Sequence, residues 1–145
     1  MTDTKTAEEQ QLEELAARKA ELAARTAGRL EYTAGELLAI EQRQIAELEA
    51  LDAAQTQYGP RAVRLVETDE GGVILRRPHH AAFRKFMDKG EITSQAQEEL
   101  VLSCLVYPSK PEFDKLVKLQ TGALLRFANA AVELAGFRAS ELKSK

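Results

Sequence analysis

The apolar positions of the first 57 residues recur every 11 residues, not every seven. Leu15, Thr26, Leu37 and Leu48 form one row, and Leu12, Ala23, Ala34 and Ile45 form a second row three positions before it. Leu22, Leu30 and Leu38 fall on the same stripe, whereas a strict heptad fails at the step from Leu22 to Leu30. Three turns of α-helix take about 10.8 residues, so this spacing predicts a nearly straight stripe on one long helix, or a slight right-handed supercoil if a partner follows it. From Thr6 to Gln57 such a helix would be roughly 75 Å long. A small domain cannot cover that length, so part of the stripe needs a partner. Gly28 and Gly35 each cost about 1 kcal/mol relative to alanine inside a helix. Both lie about opposite the leucines, whose phase continues across them, and the reading therefore favours a continuous helix over a hairpin folded between Gly28 and Gly35.

After Tyr58-Gly59-Pro60, which supplies a left-handed cap and a stop, the period changes from 3.6 to 2. Residues 62–68 and 73–77 read as two strands around an Asp69-Glu70-Gly71-Gly72 turn. A lone hairpin is marginal in water, so one of its faces must pack on helices. Pro78 opens a helix carrying Phe83, Phe86 and Met87 on one side, ending near Lys89-Gly90. Ser94 with Gln97 resembles a capping box for a helix whose inward side is Leu100, Val101, Cys104 and Leu105, closed by Val106-Tyr107-Pro108. Ser109, Pro111 and Glu112 mark the next helix start, with Phe113, Leu116, Val117 and Gln120 on its face. A last apolar helix runs from Leu124 to Ala135 and stops at Gly136. The predicted fold class is mainly α, with a long N-terminal amphipathic helix over residues 1–57. A small α+β head over residues 58–137 holds one β-hairpin and three to four short helices, and residues 138–145 form a frayed tail.

Charge divides at the same boundary. Residues 1–57 hold 6 Lys/Arg against 12 Asp/Glu, and residues 58–145 hold 14 against 11, so the net charge of -3 is made of -6 and +3. Such halves can attract each other within one chain or between chains, and patterning alone does not choose. The i,i+4 pairs Glu14–Arg18 and Glu21–Arg25 read as a solvated helix face. No apolar run approaches the roughly 18 residues of a membrane span. Met1 to Gln10 lacks the apolar stretch of a signal peptide, so the expected compartment is the cytoplasm.

Catalytic constellations are missing. His79 and His80 are adjacent and would point about 100° apart on a helix, which prevents them from gripping one metal ion; they read as surface residues in a first turn. Cys104, the single cysteine, has no disulfide partner in the chain and reads as a small core residue. The Asp69–Gly72 turn lacks the ligand spacing of a calcium loop, and no helix start with Lys-Ser/Thr follows Gly71-Gly72 to make a phosphate loop. The residues therefore point to a non-enzyme without metal or cofactor. Arg76, Arg77, Arg84 and Lys85, with the two histidines, form the one basic concentration and are candidate contacts for an acidic partner. An isoelectric point near 5.5, with no interleaved aromatic platform, disfavours nucleic acid.

The series Val73-Ile74-Leu75-Arg76-Arg77-Pro78, Phe83, Phe86, Val106-Tyr107-Pro108-Ser109, Phe113, Leu116, Gly122 and Leu134-Ala135-Gly136 resembles the small tail assembly chaperones of long-tailed bacteriophages, over about residues 58–137. That resemblance implies a cytosolic, non-enzymatic protein that coats the elongated helical tape measure protein and keeps it soluble until tail-tube subunits polymerise around it. The long Ala/Glu-rich first helix exceeds the family pattern. The residues expected to carry partner binding or self-association into a homo-oligomer are Leu12, Leu15, Leu22, Leu30, Leu37, Leu38, Ile45 and Leu48. The rival expectation is a structural coiled-coil protein of a phage or phage-like assembly, oligomerising through residues 6–57 and carrying a small head.

Overall fold

The structure is a computed structural model that describes residues 6–136. It has the predicted class, with an N-terminal helical segment followed by a small α+β head. The frayed tail expected at residues 138–145 lies outside the described residues. Two compact units divide the chain, residues 1–40 and residues 41–145. This boundary lies within the N-terminal segment and not at Gln57, because residues from Arg43 onward pack on the head.

In the first unit, α1 spans Ala7–Arg29. Thr6 caps it, its Oγ1 accepting from the Glu9 N–H at 3.1 Å. Glu8 and Glu9 occupy the first turn and Arg29 the last, matching the helix dipole. Glu21 accepts from Arg25 at 2.9 Å as expected, whereas Arg18 turns to Glu21 at 3.2 Å. The expected continuous helix is interrupted. Leu30 ends α1, and α2 (Ala34–Tyr58) starts afresh at Thr33. Thr33 and Glu36 form a reciprocal capping box: Thr33 Oγ1 accepts from the Glu36 N–H at 3.2 Å, and Glu36 Oε1 accepts from the Thr33 N–H at 3.3 Å. A residue held this way at an N-cap takes non-helical backbone, and that choice overrides the unbroken phase of the leucines.

In the second unit, β1 (Val63–Thr68) and β2 (Gly71–Arg76) form the hairpin, with Val63 opposite Arg76 and Thr68 opposite Gly71. The turn is therefore Asp69-Glu70, with both glycines inside β2. A third strand, β3 (Leu105–Tyr107), pairs antiparallel with β2 and makes the order β1-β2-β3. This segment was expected to close a helix; instead α4 (Ser94–Ser103) ends two residues earlier. Its cap is also one residue earlier than expected, with Thr93 Oγ1 accepting from the Ala96 N–H at 3.1 Å.

Being central, β2 is buried on both faces, which accounts for its unbroken Val73-Ile74-Leu75 run. Alternation sends Val73 and Leu75 into the main core and Ile74 to the other side, where Ala54, Val63, Ala50, Leu51, Leu65, Val106 and Tyr107 meet it. The second half of α2 thus covers one face of the sheet. The main core on the other face is built by α3 (His80–Met87), α4, α5 (Lys110–Leu119) and α6 (Ala123–Leu134). At its centre the rings of Phe113 and Phe127 lie 5.8 Å apart and tilted by 46°, a favourable aromatic geometry. Ala128, Ala130 and Ala131 of α6 are buried, and such small side chains let the helix approach the sheet and α4 closely.

Candidate interaction surface

On α1 the leucine stripe faces solvent along its whole length, and no residue of that helix is buried. Among the eight expected contact residues, exposure runs from 39% at Leu22 to 83% at Leu30, with Leu12, Leu15, Leu37, Leu38, Ile45 and Leu48 between these values. Isolated exposed leucines are ordinary, but a series at helical spacing on each helix leaves large apolar side chains in water, which makes them candidates for a binding surface.

In α2 the face that docks on the sheet is a different one. Arg43, Glu47, Ala50, Leu51 and Ala54, spaced i, i+4, i+7, i+8 and i+11, turn inward. Ile45 and Leu48 sit roughly 150° around the helix from them. The sheet-facing side of α2 carries Leu51 among small and charged residues, while Leu37, Leu38, Ile45 and Leu48 stay exposed, so α2 presents apolar residues on two sides, unlike a helix with a single apolar face.

Glu47 makes this docking work. Its carboxylate is 3% exposed, and Oε1 accepts from the Gly72 backbone N–H at 2.7 Å. Arg43 Nε lies 3.4 Å from the same oxygen, at ion-pair distance without the alignment of a hydrogen bond. Gly72 lies in close quarters, where an added side chain would crowd Leu65 and Glu47. A Cβ there would stand 2.8 Å from Leu65 Cδ1 and 2.9 Å from Glu47 Oε2. Beside this latch a cavity of about 170 Å³ is lined by Glu70, Tyr107, Pro108, Glu112 and Leu116 together with Arg43 and Glu47. Sequence reasoning missed Glu47. The available signal was the second face of α2, where Ala50 and Ala54 follow Arg43 and Glu47 at helical spacing.

The basic residues separate into two kinds. Arg76 donates to the Ser103 carbonyl at 3.0 Å, and its guanidinium carbon stands 5.9 Å from the Tyr58 ring centroid. Arg77 donates through Nε to the Leu134 carbonyl at 2.9 Å. Each therefore satisfies the C-terminal end of a helix, α4 or α6, where orphan carbonyls and the negative dipole favour a cation. Arg84 and Lys85 are exposed on α3. A second cavity, of about 330 Å³, lies between α3 and α4 against Phe86, Ala96 and Leu100. Lys89 and Glu99 also line it and are joined by an ion pair. The Lys89 ammonium holds the Glu99 carboxyl below its usual range.

His79 is the N-cap of α3 and His80 its first residue, both exposed. Among the described residues no group of His, Cys, Asp and Glu side chains could hold a metal ion. Cys104 is fully buried in the main core, and burial pushes its thiol up to about 12, far from a reactive thiolate. No helix among the described residues is long and apolar enough to cross a membrane. No family model matches the chain, and neither a curated protein nor a solved structure matches it.

Proposed function

We propose that this chain is a non-enzymatic binding protein that covers the apolar face of an elongated helical protein partner and keeps it soluble during assembly. The tail assembly chaperone is the form of this reading that the sequence resemblance supplies, with a cytoplasmic place of action. The observation that carries it is the exposed leucine series on α1 and α2, none of which belongs to the core of the head. A long amphipathic client needs its stripe covered by many weak and releasable contacts, and helix-on-helix packing through leucines provides them.

The head supports the reading by giving the second half of α2 a rigid seat. Docking through Arg43, Glu47 and Ala54 leaves Ile45 and Leu48 outward. The experiment is co-expression with a tape measure protein encoded beside this chain. Co-purification, with more partner in the soluble fraction, supports the reading; a partner that stays insoluble and does not co-purify overturns it. Recovery of the chain from finished particles would favour the permanent coiled-coil component instead.

A further inference from the structure

We propose that α1 pairs antiparallel with α1 of a second copy of this chain. The proposal rests on reading the leucine stripe as a binding surface and assigns the occupant of its first part.

Charge segregation along the helix selects that occupant. Residues 7–14 carry Glu8, Glu9, Glu13 and Glu14 with no Lys or Arg, whereas residues 15–29 carry Arg18, Lys19, Arg25 and Arg29 against Glu21 alone. A parallel pair would stack the acidic half on the acidic half and the basic half on the basic half. An antiparallel pair sets each acidic half beside a basic half, and it also opposes the two helix dipoles favourably. With Leu15 of one copy level with Leu22 of the other, the reciprocal contact forms by symmetry and Glu8 comes level with Arg29. At the midpoint Arg18 meets Lys19, and the Arg18–Glu21 ion pair within each helix offsets that like-charge contact. Ala16, Ala20, Ala23 and Ala27 follow one flank of the leucines, and their small size permits close approach of the two backbones.

The same geometry sets the strength. A helix of 23 residues is roughly 34 Å long, and a strip of about 10 Å width covers on the order of 350 Å² per copy at the usual interhelical spacing. Two such strips fall below the about 1,200 Å² at which stable interfaces begin. The dimer is therefore of the transient class, exchanging readily, and it leaves the outward face of α2 for a client.

Sedimentation of the full chain over roughly a hundredfold concentration range should show reversible monomer–dimer exchange. Leu15→Glu/Leu22→Glu should raise the dissociation constant by at least about tenfold while leaving the melting of the head unchanged. Orientation is read by oxidative cross-linking. A mixture of Gln11→Cys and Thr26→Cys chains should form the crossed disulfide, with Cys104 shielded by burial. A monomer at every concentration, a dimer indifferent to the leucine substitutions, or Gln11→Cys chains linking to themselves as readily as to Thr26→Cys chains would each overturn the proposal. Client co-purification is read separately, so either idea can fail while the other stands.

Discussion

Replacing Glu47 by alanine leaves the Gly72 N–H buried without an acceptor and Arg43 without its counter-charge. Losing a charge-assisted hydrogen bond at a buried donor costs about 1.5–3 kcal/mol, and the emptied volume adds to this, because the neighbouring structure relaxes only partly. Arg43 is about one-third exposed, with 34% of its side chain accessible, so its share is discounted for solvent screening. The expected total is about 3 kcal/mol. For a unit of this size that corresponds to a melting temperature lower by roughly 10–20 °C. Glu47→Gln keeps an acceptor oxygen in place and loses mainly the ion pair, so it should cost about 1 kcal/mol. Urea unfolding followed by circular dichroism gives both values, and amide exchange over residues 43–54 reports whether α2 has loosened on the sheet. An alanine variant within about 0.5 kcal/mol of the parent, the spread of ordinary surface changes, would refute the latch. Equal losses for alanine and glutamine would assign the effect to charge and not to the hydrogen bond.

Other expectations follow from the same geometry. Gly72→Ala should destabilise by about 1–3 kcal/mol through overpacking against Leu65 and Glu47, and pairing it with Glu47→Ala should recover part of that loss in a double-mutant cycle. Arg77→Ala removes the Nε bond to the Leu134 carbonyl and should cost about 1 kcal/mol in the urea midpoint, without changing the far-UV spectrum. Cys104 should resist Ellman's reagent in the folded chain at pH 8 and react fully in urea. Its thiol is raised from 9.0 to about 12 by burial. Both states keep the proton below pH 9, and above it the unfolded chain releases its proton first. Stability should therefore fall as pH rises from 9 toward 12, and a Cys104→Ala chain should lose that component of the slope.

The hairpin was legible because Val63–Thr68 and Val73–Arg76 are rich in β-branched residues around a turn sequence. The α5 start was legible because proline and glutamate stand at the positions a first turn tolerates. The break near Leu30 was not legible in the hydrophobic phase, since that phase continues through it. It was present in Thr33-Ala34-Gly35-Glu36, a capping signature that the leucine pattern masked. Strand β3 was missed for a different reason: three residues are too few to show a period, and the pairing with β2 that defines them is a long-range contact. The eight leucine and isoleucine positions of the predicted stripe are exposed, yet the sequence does not say which face of α2 the head takes. The docked face joins apolar contacts of Ala50, Leu51 and Ala54 to one carboxylate that meets a backbone N–H across 25 positions of chain, all of them long-range contacts. Arg76 and Arg77 read as a basic patch because their carbonyl partners, at Ser103 and Leu134, are distant in sequence.

The residues that hold the protein together are distinct from those proposed to hold a partner, and Leu37→Glu/Leu48→Glu tests that separation most directly. Glutamate is as good a helix former as leucine is, to within a few tenths of a kcal/mol, and both positions face solvent. The measurement is retention of the co-expressed tape measure protein by the parent and the variant, with the melting temperature of each purified chain recorded alongside. The expected result is an unchanged melting temperature and loss of the partner from the soluble, co-purifying fraction. A variant that melts with the parent and still retains the partner in full would contradict it.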